Sequence, residues 1–153
     1  MKYEKIFMGS YNLHLINTDK FKTNLLAVFM LTDLNRENVT KNTLIPAVLR
    51  RGTNKLQTMK EIAIKLEDMY GSILDASSEK MGDKQVLQFY IDSLANEYTL
   101  DNSDLLKDAA ELLCDVILDP VTEEMQCKAF KAEYVEQEKE TIRELINAKI
   151  NDK

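Results

Sequence analysis

The 153-residue sequence has one histidine, two cysteines, two prolines, four glycines and no tryptophan. Each shortage removes a class of chemistry. The four glycines are scattered, so no Gly-rich phosphate loop is present. Cys114 and Cys127 form no CxxC pair and have no metal-ligand spacing. They read as free thiols in helices of a reducing cytoplasm. The lone His14 lies in an alternating segment and reads as a strand-surface or packed histidine rather than a metal ligand. No Ser-His-Asp set is recognisable. No apolar run approaches the ~20 residues that span a bilayer. Met1 to Ser10 carries lysines but neither a long apolar core nor a small-residue cleavage site, so no secretory signal is expected and the cytoplasm is the expected location. Excess positive charge is missing as well. Against 26 acidic residues stand 20 basic ones, and the net charge of −6 argues against nucleic acid or an anionic membrane as a partner.

What remains is the composition of one globular domain with a real core. Tyr11, Leu13 and Leu15 alternate with Asn12 and His14, which predicts a half-buried strand. Asn24 to Leu31 (NLLAVFML) is a nearly continuous apolar run of strand length, suited to burial on both faces. The two are expected to pair as an antiparallel hairpin. Thr32 to Asn42 is polar and predicts a loop. Asn42 to Thr53 (NTLIPAVLRRGT) is then an apolar run of helical length ending in two arginines and a Gly-Thr turn. Pro46 is tolerated in a first helical turn, so the helix is expected to start near Thr43 as N-cap. Gly52 closes it, with Arg50 and Arg51 placed either to complement the dipole or to bind an anion.

Thr58-Met59-Lys60-Glu61 is a capping-box pattern, and Met59, Ile62, Ala63, Leu66 and Tyr70 recur at helical spacing. A second hairpin is predicted from Ile73 to Ser77 and from Val86 to Ile91, with Leu87, Phe89 and Ile91 on one face. Ser103 can cap a long helix striped by Leu105, Leu106, Ala109, Leu112, Leu113, Val116 and Ile117 and ended by Pro120. A last helical region runs from about Thr122 to the end, with a break near Tyr134 open. Its later apolar positions are Ile142, Leu145, Ile146 and Ile150, and Glu136, Glu138, Glu140 and Glu144 lie between them. That cluster reads first as a solvated face, with a remnant metal site or a surface for a basic partner as the functional reading. The stripe still runs at Ile150, close to Lys153, which predicts a domain incomplete at its C-terminus.

The order of these segments resembles the N-terminal part of the insulinase/pitrilysin family of zinc metallopeptidases. FKTNLLAVFML is similar to the family's early strand pair, and ENVTKNTLIPAVLRRGT to its motif helix and Gly-Thr. TMKEIAIKLEDMYGSILDAS is similar to the next helix, glycine turn and strand. ILDPVTEE resembles the Leu-x-x-Pro exit from a long helix, and VEQEKETIRELI the late acidic helix. The resemblance covers nearly the whole chain. It is closest to a bacterial branch that lacks the zinc motif and is encoded beside a motif-bearing sister.

The resemblance implies a fold of class α+β, with a mainly antiparallel sheet, helices packed on one face and the order ββααββαα. In active members a His-x-x-Glu-His helix runs into a basic residue and a Gly-Thr, and a glutamate on the late helix is the third zinc ligand. Counting back from Gly52-Thr53, the motif positions fall on Thr43, Pro46 and Ala47. The third-ligand position falls on Leu145, or on Glu144 if the register slips by one. A catalytic zinc needs about three protein ligands and an open position for water. Thr43 offers only a weak neutral oxygen, Ala47 offers no ligand atom and Pro46 cannot serve as a base. No cofactor is therefore expected, where active members hold zinc.

The reading leans away from an enzyme. It favours a non-catalytic homologue, the scaffold or substrate-binding half of a peptidase assembly with a motif-bearing partner subunit and a peptide substrate. Two alternatives stay open: an active zinc endopeptidase with a misplaced motif, and an interaction domain outside proteolysis. Self-association by edge pairing or by exchange of the terminal helix is also expected.

Overall fold

The computed structural model describes residues 1–101, 103–123 and 129–151. The chain is α+β, built on antiparallel strands. The first elements are β1 (Lys2–Phe7), β2 (Asn12–Asn17) and β3 (Thr23–Asp33). Two helices follow, α1 (Val39–Leu49) and α2 (Met59–Asp68). Strands β4 (Ile73–Met81) and β5 (Lys84–Leu94) come next, then α3 (Leu105–Leu118), the two-residue strands β6 (Thr122–Glu123) and β7 (Ala129–Phe130), and α4 (Ala132–Asn151). The expected order is therefore present, preceded by one further strand and interrupted by the short β6–β7 pair.

The central sheet has the order β3-β5-β4, antiparallel throughout. Its β4–β5 hairpin is the second expected one, with β4 running on to Met81 and β5 extended to Lys84 and Leu94. Gly82 takes φ +62° in the two-residue turn between Met81 and Lys84, a conformation that favours glycine. Along β5 the residues Leu87, Phe89 and Ile91 face the helices, as their alternation predicts, and Phe89 and Ile91 are fully buried. Helices α1 and α3 lie on this one face. Leu105, Ala109, Leu112, Leu113 and Val116 of α3 bury against the sheet, while Leu106 of the predicted stripe is exposed. The N-cap of α3 is Asp104, not Ser103: its side chain accepts a hydrogen bond from the Lys107 N–H. The capping box of α2 is formed as read, Thr58 Oγ1 accepting from Glu61 N–H and Glu61 Oε2 from Thr58 N–H.

Other expectations are corrected, and Leu25, Phe29 and Leu31 leave one face of β3 exposed where burial on both was expected. The first hairpin is not β2 with β3. Strand β2 pairs with β1, from Lys2 opposite Asn17 to Phe7 opposite Asn12, and among the described residues β3 pairs only with β5. The reason is local. Gly9, at φ +84°, turns the chain directly from β1 into β2, and a hairpin closed so close in sequence forms at low loop entropy. The last helix does not begin at Thr122. It starts at Ala132 and runs unbroken through Tyr134. Among the described residues no helix is long and apolar enough to cross a membrane. Cys114 is a free, exposed thiol on α3, and Cys127 lies outside the described residues.

Candidate functional site

Helix α1 carries all three motif positions, but not in the predicted frame. It begins at Val39, so Thr43 is an interior residue rather than the N-cap, and Pro46 sits well inside the helix. An interior proline leaves the Asn42 carbonyl without its usual partner, at a nominal cost of ~3 kcal/mol. Burial offsets this. The helix is apolar on most of its surface and is enclosed: Pro46, Val48 and Leu49 are buried, and Thr43 to Ile45 and Ala47 are half-buried.

Thr43 is fully engaged. Its hydroxyl donates to the Val39 carbonyl at 2.7 Å and accepts from Gln85 Nε2 at 3.1 Å. Gln85 comes from β5 and is only 3% exposed. Its amide nitrogen also lies 3.1 Å from the Val39 carbonyl oxygen and 2.9 Å from Ser78 Oγ on β4. This amide pins the first two turns of α1 to the sheet. Its Oε1 has no partner among the described residues.

The end of α1 is held by ion pairs. Arg50 donates to Asp75 on β4 at 2.9 Å. Arg51 uses both Nε and Nη2 on Glu138 Oε1 of α4, each at 2.5 Å, and Nη1 on Gln137 Oε1 at 2.9 Å. The Tyr134 ring lies under the Arg51 guanidinium, 5.9 Å from centroid to Cζ. Both arginines therefore hold elements together instead of leaving a free cation for an anion. Of the acidic cluster, Glu136, Glu140 and Glu144 are exposed as read, and Glu138 is buried and paired. The Asp75 carboxylate, with burial and then Asp92 adding to it, holds the Tyr90 phenol above its ordinary range.

The Gly-Thr turn is a junction. A Cβ on Gly52 would lie 2.6 Å from the Gln57 carbonyl oxygen, so only glycine fits this close approach. Thr53 is completely buried, bonding Leu56 through N–H and Oγ1 and bridging to Pro120. The Gly52 carbonyl accepts from Val121 N–H at 3.1 Å. Two segments far apart in sequence, RRGT and ILDPV, thus form one corner.

The third-ligand positions lie on α4, which packs on α1. Leu145 is 56% exposed and Glu144 is exposed. Neither is joined to α1 by a hydrogen bond or ion pair among the described residues. His14 stands apart on exposed β2, its Nδ1 2.9 Å from the Tyr3 hydroxyl. These residues do not fit a zinc ion. The one oxygen at a motif position is spent inside the helix, and among the described residues no group of three or more His, Cys, Asp or Glu side chains is placed to hold a metal.

No known family's sequence profile matches the chain. Over 145 residues, 95% of its length, it is 34% identical to the Bacillus subtilis (strain 168) protein named Probable inactive metalloprotease YmfF, of which it covers 33%. This chain is similar to a probable inactive metalloprotease. Its fold also superposes on the crystal structure of a conserved protein from Enterococcus faecalis V583 at TM-score 0.90 and 26% identity, over 99% of this chain and 35% of that one. The chain thus spans about a third of the length of each of these proteins.

Sequence reasoning missed Gln85 and read Glu138 as part of a solvated face, where it is buried and paired. Gln85 carries no local signal, since its partner helix is 42 positions away at Thr43. Glu138 did carry one. It falls at helical spacing between Val135 and Ile142, and a carboxylate within an apolar stripe requires a cation.

Proposed function

We propose that this chain is a non-catalytic member of the insulinase/pitrilysin family, acting as the scaffold or substrate-binding half of a peptidase assembly. Its partner is a motif-bearing peptidase subunit, and the pair grips a peptide substrate. One observation carries the reading: the motif helix is kept and fastened at both ends, while its motif positions carry Thr43, Pro46 and Ala47. Gln85 holds one end and the Arg50–Asp75 and Arg51–Glu138 pairs hold the other. The name of the Bacillus subtilis relative, Probable inactive metalloprotease YmfF, supports it further.

The test has two parts. The purified chain should carry no stoichiometric zinc and cleave no peptide alone. Added to a motif-bearing sister encoded beside it, it should bind and raise that subunit's peptide cleavage. One tightly held zinc per chain, lost on replacing Glu144 or His14, would return the active-peptidase reading. A sister subunit that neither binds the chain nor responds to it would leave the interaction-domain reading instead.

A further inference from the structure

Among the described residues strand β3 has a neighbour on one side only, so the edge facing away from β5 offers a row of unpaired backbone groups. That edge is long, at 11 residues, and apolar. On its outer side Leu25, Phe29 and Leu31 are 60–65% exposed. On the helix side an open apolar groove separates β3 from α3, lined by Val28, Met30, Leu113 and Ile117 and reached by Tyr11 from the β1–β2 turn. An unprotected edge of this length and polarity templates a further strand.

The same chain carries a strand pair in need of a sheet. Every residue of β1 and β2 except Ile6 is exposed. An isolated two-stranded hairpin is marginal in water. This one displays Tyr3, Phe7 and Ile16 on one face and Leu13 and Leu15 on the other, and none of the five is less than 39% exposed. Both faces match the vacant edge. With β2 laid along β3, Leu13 and Leu15 enter the groove beside Val28 and Met30. Ile16, Tyr3 and Phe7 then lie over the side carrying Phe29 and Leu31.

We propose that the open edge of β3 and the groove beneath it take the β1–β2 hairpin of a second copy of this chain, in a reciprocal exchange. Donor and acceptor are present on every copy, so two exchanges close a two-fold pair. An aromatic side chain buries roughly 150–250 Å² in full, and three of the exposed residues are aromatic. Together with the exposed leucines and isoleucine this makes on the order of 800 Å² per copy, the size a stable interface requires. The hinge is Thr18 to Phe21. Beyond it, the Lys22 carbonyl is fixed to the sheet by Ala95 N–H at 2.9 Å. The inference is independent of any role in proteolysis.

The experiment uses two charge-blocked variants of the full chain. One carries Leu13→Lys with Leu15→Lys in the hairpin, and the other Phe29→Lys with Leu31→Lys on the edge. All four positions are exposed, so the folded body is spared, which circular dichroism checks. By light scattering coupled to size exclusion, the parent should run at twice the 17.6 kDa monomer mass at micromolar concentration, and each variant as a monomer. An equimolar mixture should recover dimers, since the unblocked hairpin of one meets the unblocked edge of the other. Hydrogen exchange on the parent is a second readout that needs no variant: protection of β2 and β3 amides should rise with protein concentration. A monomeric parent overturns the proposal. If its β3 amides are protected, the hairpin closes on its own edge. If they are open, the edge belongs to a different partner. A parent dimer whose blocked variants still dimerise overturns it too.

Discussion

Removing Glu138 should loosen the hold of α4 on the motif helix. The perturbation is Glu138→Ala, with Arg51→Ala as its counterpart. The Arg51 and Glu138 side chains are 19% and 10% exposed, which sets the pair between two regimes. Exposed pairs contribute about 0.2–1 kcal/mol, and breaking a buried pair costs about 3–5 kcal/mol because an uncompensated charge stays behind. At this burial about 2–3 kcal/mol is expected for Glu138→Ala, since Arg51 keeps only Gln137 and the Tyr134 ring. Arg51→Ala should cost a similar amount, because Glu138 then has no cation. The two should not add: the double variant is expected to lie within about 1 kcal/mol of either single one, a coupling near 2 kcal/mol. Urea unfolding followed by circular dichroism reads this directly. With a slope of about 2 kcal/mol/M, each single substitution should lower the midpoint by about 1 M. Hydrogen exchange should show α4 as the element released first. An apolar pair, Arg51→Met with Glu138→Leu, should restore stability to within about 1 kcal/mol of the parent. A coupling below about 0.5 kcal/mol would refute the reasoning and return Glu138 to the solvated face.

Three further outcomes follow from the same geometry. Replacing Thr43 and Ala47 with histidine and Pro46 with glutamate should create measurable zinc affinity with little turnover, read by metal analysis after dialysis. Stability should fall, because the glutamate replaces a buried residue and Thr43 is lost from Gln85; zinc uptake no greater than the parent's would show that the motif frame is misplaced. Gly52→Ala should destabilise the corner at Pro120 by about 1–3 kcal/mol in urea unfolding, because the added carbon meets backbone rather than a movable side chain; a neutral effect would mean that the turn yields. Tyr90 should ionise above its ordinary value of about 10, seen by NMR of carbon-labelled tyrosine, and Asp75→Asn should bring it down. The folded state holds that proton longer than the unfolded one, so the associated stability is fully present below the unfolded pKa and is lost as pH rises through the folded one.

The parts of the fold legible in the sequence are those whose cause is local. The capping box at Thr58 and Glu61 is closed by two side chains three residues apart, and the alternation along β5 reports burial on one face. Gly52-Thr53 was likewise readable as a landmark. Its physical reason, the approach of Gln57 and the tie to Val121, needs the folded chain. Strand β1 left no periodic trace because Tyr3, Lys5 and Phe7 share one face and Glu4 and Ile6 the other, so neither face is clean. Its signal was Gly9, placed between two runs of strand length. Helix α1 starts four residues before the position that Pro46 suggests. A proline constrains a helix by about 3 kcal/mol, and burial of Val48, Leu49 and the half-buried turn before them outweighs that. At the motif positions themselves the residue types alone argue against zinc. What the structure adds is that Thr43 has other work: it fastens the helix to Gln85, and a carboxamide packed against this position leaves a ligand there less room. Restoring the histidines is therefore also a test of whether the sheet can release that helix.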